Sequence, residues 1–147
     1  MLKKKPLCDT LKTGDTLYLG NKLYTLEVAD TFLSRFFGLM GRKSLPADRA
    51  MLITKCSSIH TFFMRFRMTA VFLSGDMRVT KIVPDMAPWR MAFATFTKPK
   101  TACVLEIASG SISVREGDTI TGILKGKGQD LAKTEEIVPA GSSSPSA

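Results

Sequence analysis

Cysteine and histidine are scarce in this sequence, and their scarcity excludes several classes of protein. The 147 residues include one histidine and three cysteines, Cys8, Cys56 and Cys103, with no C-x-x-C pair among them. This excludes a self-contained disulfide framework and a four-cysteine zinc site. The glycines form neither a G-x-G-x-x-G nor a P-loop pattern, which excludes the common nucleotide-binding motifs. We therefore predict no metal site and no cofactor.

Long apolar runs are also missing from the chain. No run approaches the roughly 18 residues that a membrane-spanning helix needs. The basic residues near the N-terminus, in MLKKKPLCDTLKTGD, are not followed by the apolar stretch of a signal peptide. The sequence therefore predicts a cytoplasmic protein.

The composition predicts one globular domain between two loosely held ends. The hydrophobic fraction of 44% and the charged fraction of 23% are typical of globular chains, and 147 residues suit one domain. The last residues, PAGSSSPSA, are small and polar, so they cannot bury enough surface to offset their ordering entropy. We predict a flexible N-terminus over residues 1–13, a single domain over 14–124 and a low-complexity tail over 125–147.

Alternating and β-branched runs predict more strands than helices. The segments with this pattern are LYTLEVA (23–29), AMLIT (50–54), AVFLS (70–74), MRVTKIV (77–83), TACVLEI (101–107) and DTITGIL (118–124). One helix is expected after residue 29, with Asp30 or Thr31 as its N-cap and Gly41 as its stop. We predict an α+β fold that is mainly β, a small barrel or half-barrel with one packed helix after the second strand.

The predicted helix has a broad apolar face. Its members are Phe32, Leu33, Phe36, Phe37, Leu39 and Met40. Apolar side chains at this spacing normally face the core. We therefore expect this face to pack against the sheet.

Positive charge is in excess and is concentrated in one region. The formal net charge is +8, which suggests nucleic acid or another anionic partner. Residues 55–100 carry eight lysines and arginines against two aspartates. The excess is therefore a property of one segment of the chain, and this segment is where we look for a site.

The segment CSSIHTFFMRFRM (56–68) holds the densest cluster of chemically unusual residues. Cys56 and His60 share one face whether the segment is extended or helical. His60 could activate Cys56 as a nucleophile, or the pair could bind a metal with Asp85 or Glu106. Alternatively both are half-buried structural residues, with His60 donating to a backbone carbonyl. Two ligands are too few for a metal site, and no orienting partner for catalysis can be assigned.

Aromatic and basic residues alternate in the same region. The residues concerned are Phe62, Phe63, Arg65, Phe66, Arg67, Trp89 and Arg90. Such interleaving is typical of a stacking platform for single-stranded nucleic acid. It also suits an anionic ligand, because Trp offers a flat face and Arg a planar fork. The phenylalanines could equally be core residues, and no RRM, KH or helix-turn-helix signature is present.

Seven segments in order resemble one known family. They are VADTFLSRFFGLMGRKSLP (28–46), AMLI (50–53), CSSIHTFFMRF (56–66), VFL (71–73), MAPWR (86–90), VLEIASG (104–110) and EGDTI (116–120). Together they resemble the bacterial and archaeal family called domain of unknown function 192, over about residues 23–124. The likeness is closest to a subgroup with Cys…His-Thr-Phe-x-Met-Arg-Phe and Pro-Trp-Arg segments. The resemblance implies a compact, mainly-β domain without an established activity, in a subgroup often encoded beside pilus or secretion genes.

The chain departs from the family pattern just after its histidine segment. Where relatives usually have Pro, an aliphatic residue and Asp, this chain has Arg67, Met68 and Thr69. The family's Asp is the best carboxylate candidate beside the histidine segment. We expect its absence to remove the most obvious acid/base or metal partner of His60.

These patterns lead to one preferred function and two alternatives. We predict a non-enzymatic accessory protein that binds a small anionic ligand or a protein partner in a basic, aromatic-edged cleft. The predicted ligand-binding residues are His60, Thr61, Met64, Arg65, Trp89, Arg90 and Glu106. The first alternative is a thiol or hydrolytic enzyme that uses Cys56 and His60. The second is binding of single-stranded nucleic acid.

Overall fold

A computed structural model describes residues 4–110 and 112–126, which form a mainly-β domain with one short α-helix. The strands are β1 (Thr16–Leu19), β2 (Lys22–Ala29), β3 (Arg49–Thr54), β4 (Ser58–His60), β5 (Met68–Ser74), β6 (Val79–Met86), β7 (Met91–Phe93), β8 (Thr101–Ala108) and β9 (Ile123–Leu124). The α-helix, α1 (Phe32–Phe37), follows β2. The predicted α+β, mainly-β class and the place of the helix after the second strand are therefore confirmed.

Seven strands form one mixed sheet in the order β6-β5-β8-β3-β2-β1-β9, and β4 and β7 form a separate antiparallel pair. β2 and β3 are parallel neighbours, whereas the other pairs in the sheet are antiparallel. Parallel neighbours require a crossover connection, and α1 provides it. The helix is thereby held over one face of the sheet.

The sheet does not close into a barrel, so the half-barrel form of the prediction describes it better. Residues 117–120 form hydrogen bonds with residues 77–79 beside the edge strand β6. Further along the chain, β9 pairs with β1 at the opposite edge. The predicted strand over 118–124 is therefore wrong except for β9. Its residues divide their hydrogen bonds between the two edges instead of forming one continuous strand.

Each face of the sheet carries its own hydrophobic cluster, because successive side chains of a strand point to opposite faces. On the first face, Leu105 and Ile107 of β8 pack with residues such as Leu17, Leu52 and Val71. On the second face, Val104 packs with Phe72, Ile59 and other buried residues. β5 and β8 are buried along nearly their whole length, which explains their continuous apolar runs.

Residues 7–11, which lie within the range 1–13 that the sequence predicts to be a flexible N-terminus, contact the domain. Residues Leu7–Thr10 form a 3₁₀ turn, and the backbone N–H of Leu7 donates to the carbonyl of Gly75 at 2.8 Å. Cys8 and Leu11 are buried in the cluster on the first face. These two buried apolar side chains hold the segment on the domain, although most of its residues are polar.

The predicted tail falls almost entirely outside the described residues, which end at residue 126. Lys125 and Gly126 both contact the Asp15 carboxylate, through an ammonium group at 3.3 Å and a backbone N–H at 2.8 Å. Within residues 4–110 and 112–126, no helix is long and apolar enough to cross a membrane.

Candidate functional site

A small cavity lies on the second face of the sheet, between α1, β4 and the middle of β8. Its volume is about 40 Å³, and on the order of 10–15 Å³ is enough to hold one water molecule. The lining residues are Arg35, Phe36, Phe37, Gly38, Leu39, Met40, Ile53, Cys56, Ser58, Ile59, His60, Met64 and Glu106. The cavity therefore has room for a small group of atoms, such as the end of a larger ligand, and not for a whole drug-sized molecule.

Glu106 is the buried acid of this cavity. It follows Leu105 on β8 and points to the second face, where only 3% of its surface is exposed. Among the described residues its carboxyl group has no hydrogen-bond or ion-pair partner, although no fully buried polar side-chain atom is left unpaired. The carboxyl oxygens must therefore reach the space inside the cavity. Burial raises the pKa of Glu106 to about 8, because the apolar surroundings disfavour the charged form.

Cys56 and His60 both line the cavity, and each forms its hydrogen bond with the backbone instead of with the other. The Cys56 thiol donates to the backbone carbonyl of Ser58, and burial raises its pKa above the ordinary value. An activated cysteine needs the opposite shift. The Nδ1 atom of His60 accepts a hydrogen bond from the backbone N–H of Phe62 at 3.2 Å, whereas the sequence suggested that this ring donates to a backbone carbonyl. In the neutral ring the proton is therefore on Nε2.

No metal site is found near these residues. Asp85 is not among the cavity residues, and it is paired with Arg67, whose Nε donates to its carboxylate at 2.8 Å. Throughout the described ranges no three His, Cys, Asp or Glu side chains are grouped closely enough to hold a metal ion. Cys56, His60 and Glu106 share a cavity but are not grouped as ligands.

Helix α1 forms one wall of the cavity and exposes much of its apolar face. Thr31 caps the helix in a capping box with Ser34. Of the two predicted N-caps, Asp30 and Thr31, the structure therefore uses Thr31. The helix ends at Phe37, before the predicted stop at Gly41. Leu33, Phe36 and Phe37 are each more than half exposed. The expectation that this face packs on the sheet is therefore wrong for these three residues.

A chain of six aromatic rings, here called the aromatic arc, runs from the cavity across the surface. Its members in spatial order are Phe37, Phe36, His60, Phe62, Trp89 and Phe63. Neighbouring ring centroids are 4.8–6.1 Å apart, which is the range of favourable aromatic contacts. Four of these rings are exposed: Phe36, Phe37, Phe63 and Trp89. Exposed apolar surface that is continuous in this way marks interaction sites.

Two residues of the arc have an unfavourable backbone conformation, with positive φ. Phe63 has φ of 61° and Trp89 has φ of 64°. This left-handed region is energetically unfavourable for bulky L-residues. Such strain persists only where the surroundings enforce it, and it concentrates at functional sites. The result is that both side chains point outward and touch each other, with 4.8 Å between their ring centroids.

Thr61 is the residue that joins the two loops carrying these rings. Its side chain is fully buried. Its hydroxyl donates to the carbonyl of Ala87 at 2.7 Å and accepts from the N–H of Arg90 at 2.8 Å. Its backbone exchanges hydrogen bonds with Arg90 and Trp89. Thr61 therefore fixes the position of the two loops that carry Phe63 and Trp89. Because it is fully buried, its own side chain is not on the surface of the arc.

The remaining residues of the predicted cleft are not all brought together. His60, Met64 and Glu106 line the cavity, and Trp89 reaches it through the rings of the arc. The side chains of Arg65 and Arg90 are exposed and do not line it. The basic group in the wall is Arg35 instead.

Position 69, where the family resemblance led us to expect Asp, lies on the other face of the sheet from the cavity. Ala70 is the cross-strand partner of Glu106 and belongs to the second face, so Thr69 points to the first face. There its hydroxyl accepts from the N–H of Asp85 at 3.2 Å. The idea that an acid at position 69 would partner His60 is therefore wrong, because the sheet separates the two side chains.

Sequence reasoning missed the contribution of α1 to the site. Arg35, Phe36 and Phe37 line the cavity, but Phe36 and Phe37 belong to the apolar face that the sequence predicted to pack on the core. The sequence held no signal for this, because the apolar residues of FLSRFF fall on one side of a helix, as those of a core-facing stripe do.

Comparison with known proteins gives the fold and the family. A crystal structure of a protein of unknown function from Novosphingobium aromaticivorans is 22% identical, with a TM-score of 0.62 over 72% of this chain and 81% of that chain. A crystal structure of a proposed transcription regulator from Sinorhizobium meliloti is 20% identical, with a TM-score of 0.61 over 72% of this chain and 89% of that chain. At these identities the likeness shows the fold alone, and no curated protein matches the chain.

The family assignment rests on a match over most of the described domain. The model of DUF192, described as an uncharacterised ACR, matches residues 16–122. This match confirms the resemblance seen in the sequence, and the chain belongs to the DUF192 family.

Proposed function

We propose that this protein is a non-enzymatic binding domain that receives a small anionic group in the cavity and the rest of its ligand on the aromatic arc. The observation that carries the proposal is the exposed arc ending at a cavity that holds an unpartnered buried acid. A monomeric protein rarely leaves continuous apolar surface of this kind exposed unless it binds something. The pilus or secretion link implied for the subgroup suits an accessory role of this kind.

The charges at the cavity favour an anion over a cation. Arg35 brings a permanent positive charge to the wall, and the Nε2–H of His60 is left as a donor by the bond that its Nδ1 accepts. The overall charge of +8 also attracts anions from a distance. Glu106, with its pKa raised to about 8, is mostly protonated at neutral pH and so opposes an anion little there.

An enzymatic function is less well supported. The thiol alternative needs a lowered pKa at Cys56, but burial raises it and the thiol proton is already donated to Ser58. An alkylation rate of Cys56 at neutral pH equal to that of an ordinary thiol, unchanged by His60→Ala, is the result expected here. Fast alkylation that His60→Ala slows would favour the enzyme instead.

The proposal is tested with the intrinsic fluorescence of Trp89, the single tryptophan of the chain. Aromatic acids, aromatic amines and neutral aromatic amides are titrated into the protein, and melting temperature is measured in parallel. We expect the acids to change Trp89 emission and to raise the melting temperature. Phe36→Ala should abolish both effects, whereas the matched control Phe96→Ala, at a fully exposed ring outside the arc, should leave them unchanged.

Two outcomes contradict the proposal. The first is that no acid changes either signal. The second is that Phe96→Ala reduces the response as much as Phe36→Ala. Single-stranded nucleic acid is titrated in the same way, since the relative from S. meliloti is described as a proposed transcription regulator. Tight binding that weakens steeply with salt would replace the proposal with nucleic-acid recognition.

A further inference from the structure

We propose that the group received by the cavity is a carboxylate, held by the carboxyl of Glu106, the Nε2–H of His60 and the guanidinium of Arg35, which line the same cavity. This inference rests on the proposed function and names the chemistry of its ligand. It starts from the donors and acceptors that the cavity has left over once its internal hydrogen bonds are counted.

The internal hydrogen bonds occupy two acceptors of the cavity wall, the Ser58 carbonyl and Nδ1 of His60, and leave several donors without a partner. The Cys56 thiol is bonded to Ser58, and Nδ1 of His60 is occupied by the N–H of Phe62. Arg35 gives one of its N–H groups to the carbonyl of Asp30 at 3.1 Å and has four others. Protonated Glu106 adds an O–H donor. A ligand group that only accepts hydrogen bonds satisfies this set.

A carboxylic acid kept neutral by its surroundings is an effective donor to an anion. An O–H···O⁻ bond is short and about twice as strong as a bond between neutral groups. Its formation depends on the proton of Glu106, which the buried site retains up to about pH 8. A bound carboxylate would further favour the protonated form, because two adjacent carboxylates cannot both be ionised without strong repulsion.

The charged and titratable groups around Glu106 agree with this picture. Arg35 on α1, Cys56 and His60 face the cavity that Glu106 faces. On the sheet, Glu27 lies in the same cross-strand row as Glu106, with Met51 between them. Glu27 is already paired with Arg42 at 2.7 Å, so it does not compete for the ligand.

The size of the cavity limits what enters it. A volume of about 40 Å³ admits a carboxylate and little more, so the remainder of the ligand must lie outside, where Phe36, Phe37 and the other rings of the arc begin. An aromatic carboxylic acid fits this arrangement, and so does the C-terminus of a polypeptide that ends in an aromatic residue. Both present the same carboxylate next to the same kind of apolar surface.

The experiment uses two probes that differ only at the carboxyl group and a third that has the same ring but no carboxyl group. N-acetylphenylalanine carries a carboxylate, N-acetylphenylalaninamide a neutral amide, and phenethylamine an ammonium group; each is titrated against the full chain by Trp89 fluorescence between pH 7 and 9.5. We expect the acid to bind at least tenfold more tightly than the other two at pH 7. Its affinity should fall up to tenfold per pH unit above about 8, as Glu106 loses its proton.

Three variants identify the groups responsible. In Glu106→Gln the amide remains a donor but does not titrate, so binding should persist and lose its dependence on pH above 8. Arg35→Gln should weaken binding of the acid and leave that dependence in place. His60→Gln separates any contribution of the imidazole to the pH profile from that of Glu106.

A six-residue peptide ending in Phe, with a free or an amidated C-terminus, distinguishes the two sources of the carboxylate. Binding of the free-acid peptide at least as tight as that of N-acetylphenylalanine assigns a polypeptide end, and binding of the small acid alone assigns a small molecule. Tighter binding of phenethylamine, or affinity for the acid that rises through pH 8, would overturn the carboxylate assignment. If phenyl phosphate binds while N-acetylphenylalanine does not, and Phe36→Ala abolishes that binding, the carboxylate assignment fails while the proposed function stands. If neither anionic probe binds, or if the three probes bind equally, both fail.

Discussion

Glu106 is the residue whose chemistry differs most from that of its type in water. It lies in the middle of β8 and is 3% exposed, and burial alone raises its pKa to about 8. An acid that is neutral in the fold and ionised in the unfolded chain makes stability depend on pH. In this respect the cavity and the stability of the domain are linked through one side chain.

Glu106→Gln should therefore change stability in a pH-dependent way. Between about pH 4.5 and 8 the unfolded chain loses the proton of Glu106 and the folded chain keeps it, so the free energy of unfolding of the native chain falls as pH rises. Above pH 8 both states are ionised and the loss stays constant. In urea unfolding, the free energy of unfolding of the variant relative to that of the native chain should rise between pH 4.5 and 8, by on the order of several kcal/mol. A difference that does not change with pH would contradict the buried, raised acid.

Trp89 offers a second test at the residue scale, because its backbone has φ of 64°. Glycine adopts this conformation without penalty, whereas alanine pays about 1–2 kcal/mol. Trp89→Gly should therefore be more stable than Trp89→Ala by about 1 kcal/mol, measured by urea unfolding. The same pair of substitutions at Met91, an exposed residue of β7, is the control and should give the opposite order. A less stable Trp89→Gly would show that the loop is not held in this conformation.

At the scale of elements, the arc depends on two loops and one short helix that are held by a few polar contacts. Thr61 ties the loop after β4 to the loop before β7 through its buried hydroxyl. Thr31 and Ser34 hold the start of α1, which covers the cavity from the other side. Four of the six rings are exposed, so these contacts, more than burial of the rings themselves, fix the shape of the site.

Thr61→Val tests this arrangement. The substitution keeps the size of the side chain and leaves the carbonyl of Ala87 and the N–H of Arg90 without their hydroxyl partner, a loss of about 1–3 kcal/mol in free energy of unfolding. Trp89 emission should also shift as the two loops separate. Thr61→Ser keeps the hydroxyl and should show a smaller loss and native emission. Equal effects of Val and Ser would mean that packing of the methyl group, and not the hydroxyl, joins the loops.

At the scale of the whole molecule, the sheet separates the face that carries the N-terminal segment from the face that carries the candidate site. The first face holds the larger cluster and the N-terminal segment, and the second holds the cavity and the arc. Strands β2, β3, β5 and β8 could be predicted from sequence, because apolar runs of β-forming residues identify buried strands. The short pair β4 and β7 could not, since its three-residue strands are defined by pairing with each other.

The candidate site was predictable only in part for a related physical reason. The pattern of FLSRFF indicates an apolar helix surface, but a surface that faces a core and one that faces a ligand contain the same residue types. The sequence could identify Glu106, His60 and Met64 as candidate site residues. It could not identify Arg35, because the presence of Arg35 in the cavity wall depends on where the crossover helix lies over the sheet. Likewise the face to which position 69 points follows from its pairing with β8, which the sequence does not state.

The packing of the N-terminal segment leads to a prediction for the whole fold. Leu11 is buried in the first cluster, so Leu11→Ala should cost about 2–5 kcal/mol in free energy of unfolding, from lost transfer energy and the cavity left behind. Leu7 of the same segment is 43% exposed, and Leu7→Ala should have a much smaller effect. The free energy of unfolding of both variants is measured by urea denaturation. Equal and small losses of this free energy would mean that the segment is not part of the core.

The central claim, that a buried neutral acid receives an anionic group, is tested most directly by carbon-13 NMR of the Glu106 carboxyl. Its titration is followed with and without N-acetylphenylalanine, and Glu106→Gln identifies the signal. The account predicts a pKa of about 8 in the free protein and a higher pKa when the probe is bound, because an anionic ligand favours the protonated form. A pKa near the model-compound value of 4.5 in the free protein, or a pKa that falls when the probe binds, would contradict it.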